Sequence, residues 1–318
     1  MNKIFVVIPC YKVKAHILSV IGGVGPEVSK ILIVDDACPE HTGQFVKQSC
    51  HDPRVMVLYN QVNLGVGGAV LAGYGVAISE GANVIVKIDG DGQMDPRLLL
   101  NFVNPILSGQ ADYTKGNRFF NLDNIIRMPK IRIFGNAILS LLTKMSSGYW
   151  DLFDPTNGYT AIHASIAAQL PFNKISNSYF FETDILFRLG ILRAVVRDVP
   201  MDALYGEEKS NLKIVKILPE FLRKHVVNFL KRVFYSYYLR DASLASIELP
   251  VGLILVLFGL IFGFMKWIES GLDEVAASAG TVMLSALPVL MGTQLMLAFL
   301  AYDISSVPRI PRQEVLSR

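Results

Sequence analysis

Two stretches near the end of the chain, Leu249 to Met265 and Val275 to Tyr302, contain no charged residue. A bilayer core of about 30 Å is crossed by roughly 20 helical residues, so both stretches predict transmembrane helices. The shorter one is extended by Ile247 and Glu248 at one end and by Lys266, Trp267 and Ile268 at the other, with charged heads snorkelling and the indole at the interface. Apolarity around the whole circumference argues against a helical hairpin buried in a soluble core. Pro288 is expected to kink the second span.

The remainder cannot all lie in lipid, because 18% of residues are charged although 52% are hydrophobic. A soluble domain joined to a few spans satisfies both numbers. The net charge of +3 is too small for a nucleic-acid binder, so no nucleic-acid partner is expected. Cys10, Cys38 and Cys50 are odd in number and lack metal-type spacing, which argues against a disulfide framework or zinc site and for a reduced, cytoplasmic compartment. The opening MNKIFVVIPCY has an apolar run too short for a signal-peptide core.

Short apolar runs alternate with helix-like stretches through the first half, the pattern of an α/β domain with a mostly parallel sheet. Strands are predicted at Ile4 to Ile8, Lys30 to Val34, Val55 to Tyr59, Val84 to Ile88 and Tyr113 to Gly116. Helices are predicted near Ala15 to Gly22, Thr42 to Ser49, Gly67 to Ser79, Pro96 to Leu107 and, amphipathic, Ile131 to Met145. In such sheets ligands bind beyond the carboxyl ends of the strands. Pro9 and Tyr11, Asp35 and Asp36, Asn63 with a glycine cluster, and Asp89, Asp91 and Gln93 all fall there.

The segment VKIDGDGQ places Asp89 and Asp91 at a strand tip, between glycines that permit tight turns. Two carboxylates, with Gln93 as a further oxygen, suit a hard cation such as Mg²⁺ or Mn²⁺. Taken alone, an exposed Asp/Gly turn is the competing reading. NLGVGGAV opens a helix with glycines that would let a diphosphate or sugar approach its N-terminus, or would simply pack closely.

From Lys209 to Arg240 the chain is helical in pattern and basic, with Lys209, Lys213, Lys216, Arg223, Lys224, Lys231, Arg232 and Arg240 against Glu220 alone. Phe221, Leu222, Phe229, Leu230, Phe234 and Tyr237 interleave, as in a helix lying on a membrane surface; a basic face packed on the soluble domain is the alternative. Lys and Arg crowd before the first span, Arg309, Arg312 and Arg318 follow the second, and the connecting loop carries Glu269, Asp273 and Glu274. The positive-inside rule then puts both termini and the soluble domain in the cytoplasm.

The ordered blocks VIPCYK, IVDDACPEHTG, NLGVGGA, IDGDGQMDP, KGNRF, DPTNGYTAI and YGEEKSNLKI resemble the family-2 glycosyltransferases of the dolichol-phosphate mannose synthase and polyprenyl-phosphate glycosyltransferase type. The likeness runs over roughly residues 4–213 and then the two-span tail. It implies a GT-A nucleotide-sugar-binding domain at 1–210, amphipathic juxtamembrane helices at 211–245, two transmembrane helices at 246–304 and a cytoplasmic tail at 305–318. It implies an inverting transfer of one sugar from a nucleotide diphosphate donor to polyprenyl phosphate, at the inner membrane.

The resemblance further implies that Pro9, Tyr11, Val34 and Asp36 surround the base and ribose, that Gly90 lines the donor site, and that Asp89, Asp91 and Gln93 hold Mg²⁺ or Mn²⁺. Arg118 and Lys209 would contact phosphate, and Arg132 with Lys209 would offset the acceptor's charge. Asp154 would orient the sugar or act as a base; capping the following turn is the alternative. Glu182 or Asp184 would line the sugar pocket or lie on a solvated helix face. Val13 replaces a glutamate of the mannose synthases and Ala203 an arginine, which favours a UDP-linked donor over GDP-mannose.

Two rivals remain at this stage. A processive polysaccharide synthase shares the nucleotide-binding half, but its QxxRW segment is absent. A noncatalytic sugar-lipid binding scaffold would not need Asp89, Asp91 and Arg118. Gly259 and Gly263 permit close helix packing, within one chain or in a homo-oligomer.

Overall fold

Apolar runs that were legible as strands pair into the parallel half of a seven-stranded sheet. In the computed structural model, which describes residues 2–120, 130–202 and 214–316, β1 (Ile4–Cys10), β2 (Val28–Asp35), β3 (Val55–Tyr59) and β4 (Val84–Lys87) lie in the order β3-β2-β1-β4. All three of these pairings are parallel. Helices α1 (Ile17–Gly22), α2 (Thr42–Ser49), α3 (Gly65–Ser79) and α4 (Leu99–Leu107) connect or follow them. Because helices cover the sheet, β1 reads as a continuous apolar run: Val6, Val7 and Ile8 have no exposed surface. Each such buried aliphatic side chain contributes about 1.5–3 kcal/mol.

The chain runs outward from β1 to β3 and then crosses back to place β4 on the other side of β1. That reversal creates a crevice at the carboxyl ends of β1 and β4, the position where open α/β sheets bind ligands. The sheet continues through β6 (Thr160–His163), β5 (Tyr113–Asn117) and β7 (Val196–Pro200). β6 is antiparallel to both neighbours, and β5 and β7 are parallel. Helices α5 (Lys130–Ser147), α6 (Ala164–Ala167) and α7 (Phe181–Leu192) complete this half, followed by α8 (Ile214–Phe234).

The chain divides into two compact units, Met1–Phe229 with Pro308–Arg318, and Leu230–Val307. In the first, the terminal helix α11 (Arg312–Leu316) docks by its amide end: Arg312 N and Gln313 N donate to the two oxygens of buried Asp112 at 2.7 and 2.8 Å. The second unit holds a π-helical turn (Tyr235–Arg240), α9 (Ala245–Leu272) and α10 (Ala279–Ser305). Both long helices are long and apolar enough to cross a membrane.

Small residues bring α9 and α10 together. A Cβ on Gly292 would stand 2.6 Å from the Gly252 carbonyl oxygen, and one on Gly259 would stand 2.6 Å from the Ser285 carbonyl oxygen. Ser285 Oγ donates to the Gly259 carbonyl at 2.9 Å and would meet a Cβ on Gly263. The Gly259/Gly263 spacing is therefore used inside the chain.

Candidate active site

Four strand ends supply the candidate site, and the backbone there is unusual. Lys12, after β1, and Ala37, after β2, have φ of 59° and 50°, the left-handed region that non-glycine residues seldom adopt. Such backbone clusters at functional sites because surrounding structure must hold it. Pro9 is half-buried and Tyr11 is exposed at the β1 tip. Val34, by contrast, is wholly buried, with its methyl group toward α3, so only its main chain remains for a ligand.

Asp36 is buried and organises the neighbouring loop. Its Oδ1 accepts from Asn60 Nδ2 at 2.7 Å and Leu64 N at 2.9 Å, and its Oδ2 accepts from Gly65 N at 2.8 Å. Asp35 is engaged in the same way by Cys38 N and Gly43 N, at 2.7 and 2.6 Å, on the wall of a cleft of about 510 Å³ that also includes His41, Tyr59 and Gln61. The glycine cluster resolves as a packing device. Gly67 N donates to the Asn177 carbonyl at 2.9 Å, and Cβ atoms on Gly65 and Gly67 would lie 2.6 and 2.5 Å from the carbonyl oxygens of Asn177 and Ser176. Asp36 and the 176–177 backbone thus take up amide groups at the start of α3.

Beyond β4, Asp89, Asp91 and Gln93 are half-buried on one loop, with Gly92 at φ +77°. Gln93 N donates to Asp91 Oδ1 at 3.0 Å. Gly90 is buried, and a Cβ there would come within 3.0 Å of Val13 Cγ2. Among the described residues, no group of three or more His, Cys, Asp and Glu gathers as a metal cage. An all-oxygen set of two carboxylates and an amide nevertheless fits Mg²⁺ or Mn²⁺, which complete their coordination with phosphate oxygens and water.

After β5, Arg118 forms with Asp154 a fork of two side-chain hydrogen bonds, 2.7 and 3.1 Å long, with the Asp154 side chain fully buried. Two buried lysines that the sequence does not single out, Lys87 and Lys115, stand beside these groups. Lys87 Nζ lies 2.9 Å from Asp89 Oδ1 and 3.1 Å from Glu182 Oε1. Burial pulls its ammonium down, but those two carboxylates hold it above the usual lysine range. Lys115 donates to the Asn157 carbonyl, and burial pushes its pKa down to about 8 against the opposing pull of Asp154 and Glu182. The available signal was a lysine at the end of the apolar strand VIVK and another within the strand YTKGN.

A third unforeseen group is Asp198, which accepts from Asn117 Nδ2 at 3.2 Å and Phe153 N at 2.8 Å and is pushed up to about 6 by burial. Asp184 serves structure: it accepts from Ser176 N at 2.9 Å and Asn228 Nδ2 at 3.1 Å. Lys209, Ala203 and the Arg132 side chain lie outside the described residues.

With this geometry in view, the Glycosyl transferase family 2 profile matches residues 5–170. The chain belongs to glycosyl transferase family 2. This family 2 glycosyltransferase is 29% identical over 220 residues to the undecaprenyl-phosphate mannosyltransferase of Micrococcus luteus, covering 67% of this chain and 89% of that protein. It is 26% identical over 218 residues to the UDP-N-acetylglucosamine–dolichyl-phosphate N-acetylglucosaminyltransferase of Methanococcus voltae, covering 64% and 86%. Among solved structures, it superposes with a TM-score of 0.52 and 18% identity on Mycobacterium tuberculosis glucosyl-3-phosphoglycerate synthase in complex with Mn²⁺, UDP and glucosyl-3-phosphoglycerate, covering 73% of this chain and 80% of that one. At that identity the likeness establishes the GT-A fold.

Proposed function

We propose that this glycosyltransferase transfers one sugar, with inversion, from a UDP-linked donor to a polyprenyl phosphate at the cytoplasmic face of a membrane. The observation that carries the reading is the pairing of a carboxylate loop, Asp89 to Gln93, at the sheet's switch point with two bilayer-length helices in the same chain. Relatives named for transfer to undecaprenyl phosphate and dolichyl phosphate support the acceptor. UDP in the structural neighbour supports the donor, as does Val13 packed toward Gly90 where the mannose synthases would bring a glutamate.

The acceptor sets the chemistry. A phosphate monoester has its second pKa near about 6 and is largely dianionic at neutral pH, so it is a nucleophile without strong base assistance. The protein's task is to align two anions and offset their repulsion. Asp89, Asp91 and Gln93 would hold Mg²⁺ or Mn²⁺, which when bound supplies positive charge to the departing diphosphate. Tyr11, Pro9 and the Val34 main chain would flank the base, while Arg118, Arg132 and Lys209 would balance phosphate charge. Asp154, held in its fork with Arg118, orients the reacting sugar.

Topology supports one side for both flanks of the hairpin. Residues 308–318 belong to the same compact unit as the sheet, and two crossings return a chain to the side from which it left. The basic residues on those flanks favour the cytoplasm as that side.

Purified protein in detergent, given undecaprenyl phosphate, Mg²⁺ or Mn²⁺ and a panel of radiolabelled UDP-sugars, is expected to yield a single-sugar lipid extractable into organic solvent. Preference for GDP-mannose overturns the donor, a long water-soluble polymer overturns single transfer, and no product with any donor overturns the enzymatic reading.

A further inference from the structure

Lys87, Thr160 and Lys115 stand in one row across three adjacent strands, since Thr160 is the register partner of both lysines. The row lies under the site, and none of its three side chains reaches solvent by more than 2%. An ammonium group in such a place is costly unless paired and hydrogen-bonded. The two lysines meet that requirement with atoms of the site itself. Lys87 bridges Asp89 Oδ1 on the donor side and Glu182 Oε1 from the first turn of α7, at 2.9 and 3.1 Å. Lys115 holds the carbonyl of Asn157, in the DPTNGY loop that also carries Asp154.

The next residue of that loop closes the arrangement. A Cβ on Gly158 would stand 2.5 Å from Lys87 Nζ and 2.6 Å from Asp89 Oδ2, so the loop's backbone rests directly on the Lys87–Asp89 pair. Consecutive residues 157 and 158 thus sit on the two lysines of one row. Resting on the transfer reading above, we infer that Lys87, seated by Glu182, is a positioning residue that sets the Asp89 carboxylate toward the donor, while Lys115 keeps the Asp154 loop in register with it. Neither lysine touches substrate; each acts through the group it holds.

A purely structural ion pair and a positioning device respond differently to removal of both charges. Lys87→Met leaves Glu182 buried without this counter-charge, Glu182→Gln leaves Lys87 with Asp89 alone, and both lower the thermal unfolding temperature. Lys87→Met/Glu182→Gln leaves no buried orphan between them and recovers most of that loss. Its kcat is expected to stay about a hundredfold below wild type, the scale of a 1 Å misplacement, because Asp89 has lost its clamp. UDP affinity in the presence of Mn²⁺, followed by calorimetry, weakens in parallel.

Recovery of wild-type kcat together with stability in the double variant overturns the inference. Should that variant not fold, Gly158→Ala carries the test: it pushes the loop off the Lys87–Asp89 pair, and a lowered kcat with unchanged circular dichroism supports the inference, whereas unchanged kcat overturns it. Wild-type protein without transfer activity sinks the transferase reading; an active wild type beside a fully active double variant sinks only the positioning role.

Discussion

Arg118 and Asp154 are 36 residues apart in the chain and share three hydrogen bonds, Nε to Oδ2 at 2.7 Å, Nη2 to Oδ1 at 3.1 Å and the Arg118 amide to Oδ2 at 3.2 Å. A carboxylate held this way is preorganised and poorly placed to collect a proton. Arg118→Met leaves Asp154 buried without its counter-charge and is expected to cost about 3 kcal/mol in chemical denaturation. Asp154→Asn keeps an accepting oxygen and costs less. If Asp154 orients the sugar, its Asn variant loses about tenfold in kcat, well short of the 10²–10⁴-fold that loss of a general base brings; a loss in that larger range would identify a base.

The pH dependence of stability separates two groups of opposite sign, the buried Lys115 and the half-buried Asp198. Lys115 is pushed down to about 8, so between there and the ordinary lysine range the unfolded chain binds more protons and stability rises with pH. Lys115→Met removes that rise. Asp198 is pushed up to about 6, so the folded chain binds more protons between the ordinary Asp range and about pH 6. Its contribution is fully present in acid and is lost as pH climbs through 6. Asp198→Asn can still accept from Phe153 N and is therefore expected to be more stable than wild type above about pH 7, by roughly 1.4 kcal/mol per pH unit of the wild-type shift, and to lose that advantage near pH 4. Denaturant melts in which the gap between the two proteins fails to narrow from about pH 7 towards pH 4 would contradict the assignment.

Much of this was readable in advance because the governing signals are local. Strands β1 to β4 follow from apolar runs, and the placing of Asp89, Asp91 and Gln93 beyond a strand tip follows with them. β6 was not legible: TAIH is four residues long, and antiparallel insertion between β4 and β5 is a property of pairing. The glycines of NLGVGGA were ambiguous because their purpose lies in contacts with Ser176 and Asn177, more than a hundred residues away along the chain. Lys87 and Lys115 were visible as charges within strands, but their carboxylate and carbonyl partners come from other elements, and sequence spacing carries no such distance.

The α9–α10 hairpin should depend on its smallest residues. A Cβ on Gly292 would fall 2.6 Å from the Gly252 carbonyl oxygen and 2.8 Å from Val256 Cγ2, so Gly292→Val must separate the helices. Overpacking of this kind costs about 1–3 kcal/mol. Thermal inactivation in detergent should come at lower temperature for Gly292→Val, while Gly271→Ala, where nothing lies within 4 Å, should behave as wild type. Equal inactivation of the two variants would show that the close approach is not limiting.

The same unit contains a charge cluster whose removal should be the most damaging single change there. Arg232 and Asp303 are both buried and joined by two parallel hydrogen bonds of 2.6 and 2.9 Å, and Tyr237 Oη donates to the same carboxylate. The fork ties the end of α8 to the last turns of α10, and the planar geometry requires arginine. Arg232→Lys cannot reproduce it and is expected to lower the midpoint of thermal unfolding in detergent. Asp303→Leu leaves the guanidinium buried without its carboxylate, a loss of about 3–5 kcal/mol, whereas Arg232→Met with Asp303→Leu removes both charges and should recover most of it. A double variant no more stable than Asp303→Leu would mean that the cluster contributes by attraction and not merely by mutual neutralisation, which a full double-mutant cycle would then measure.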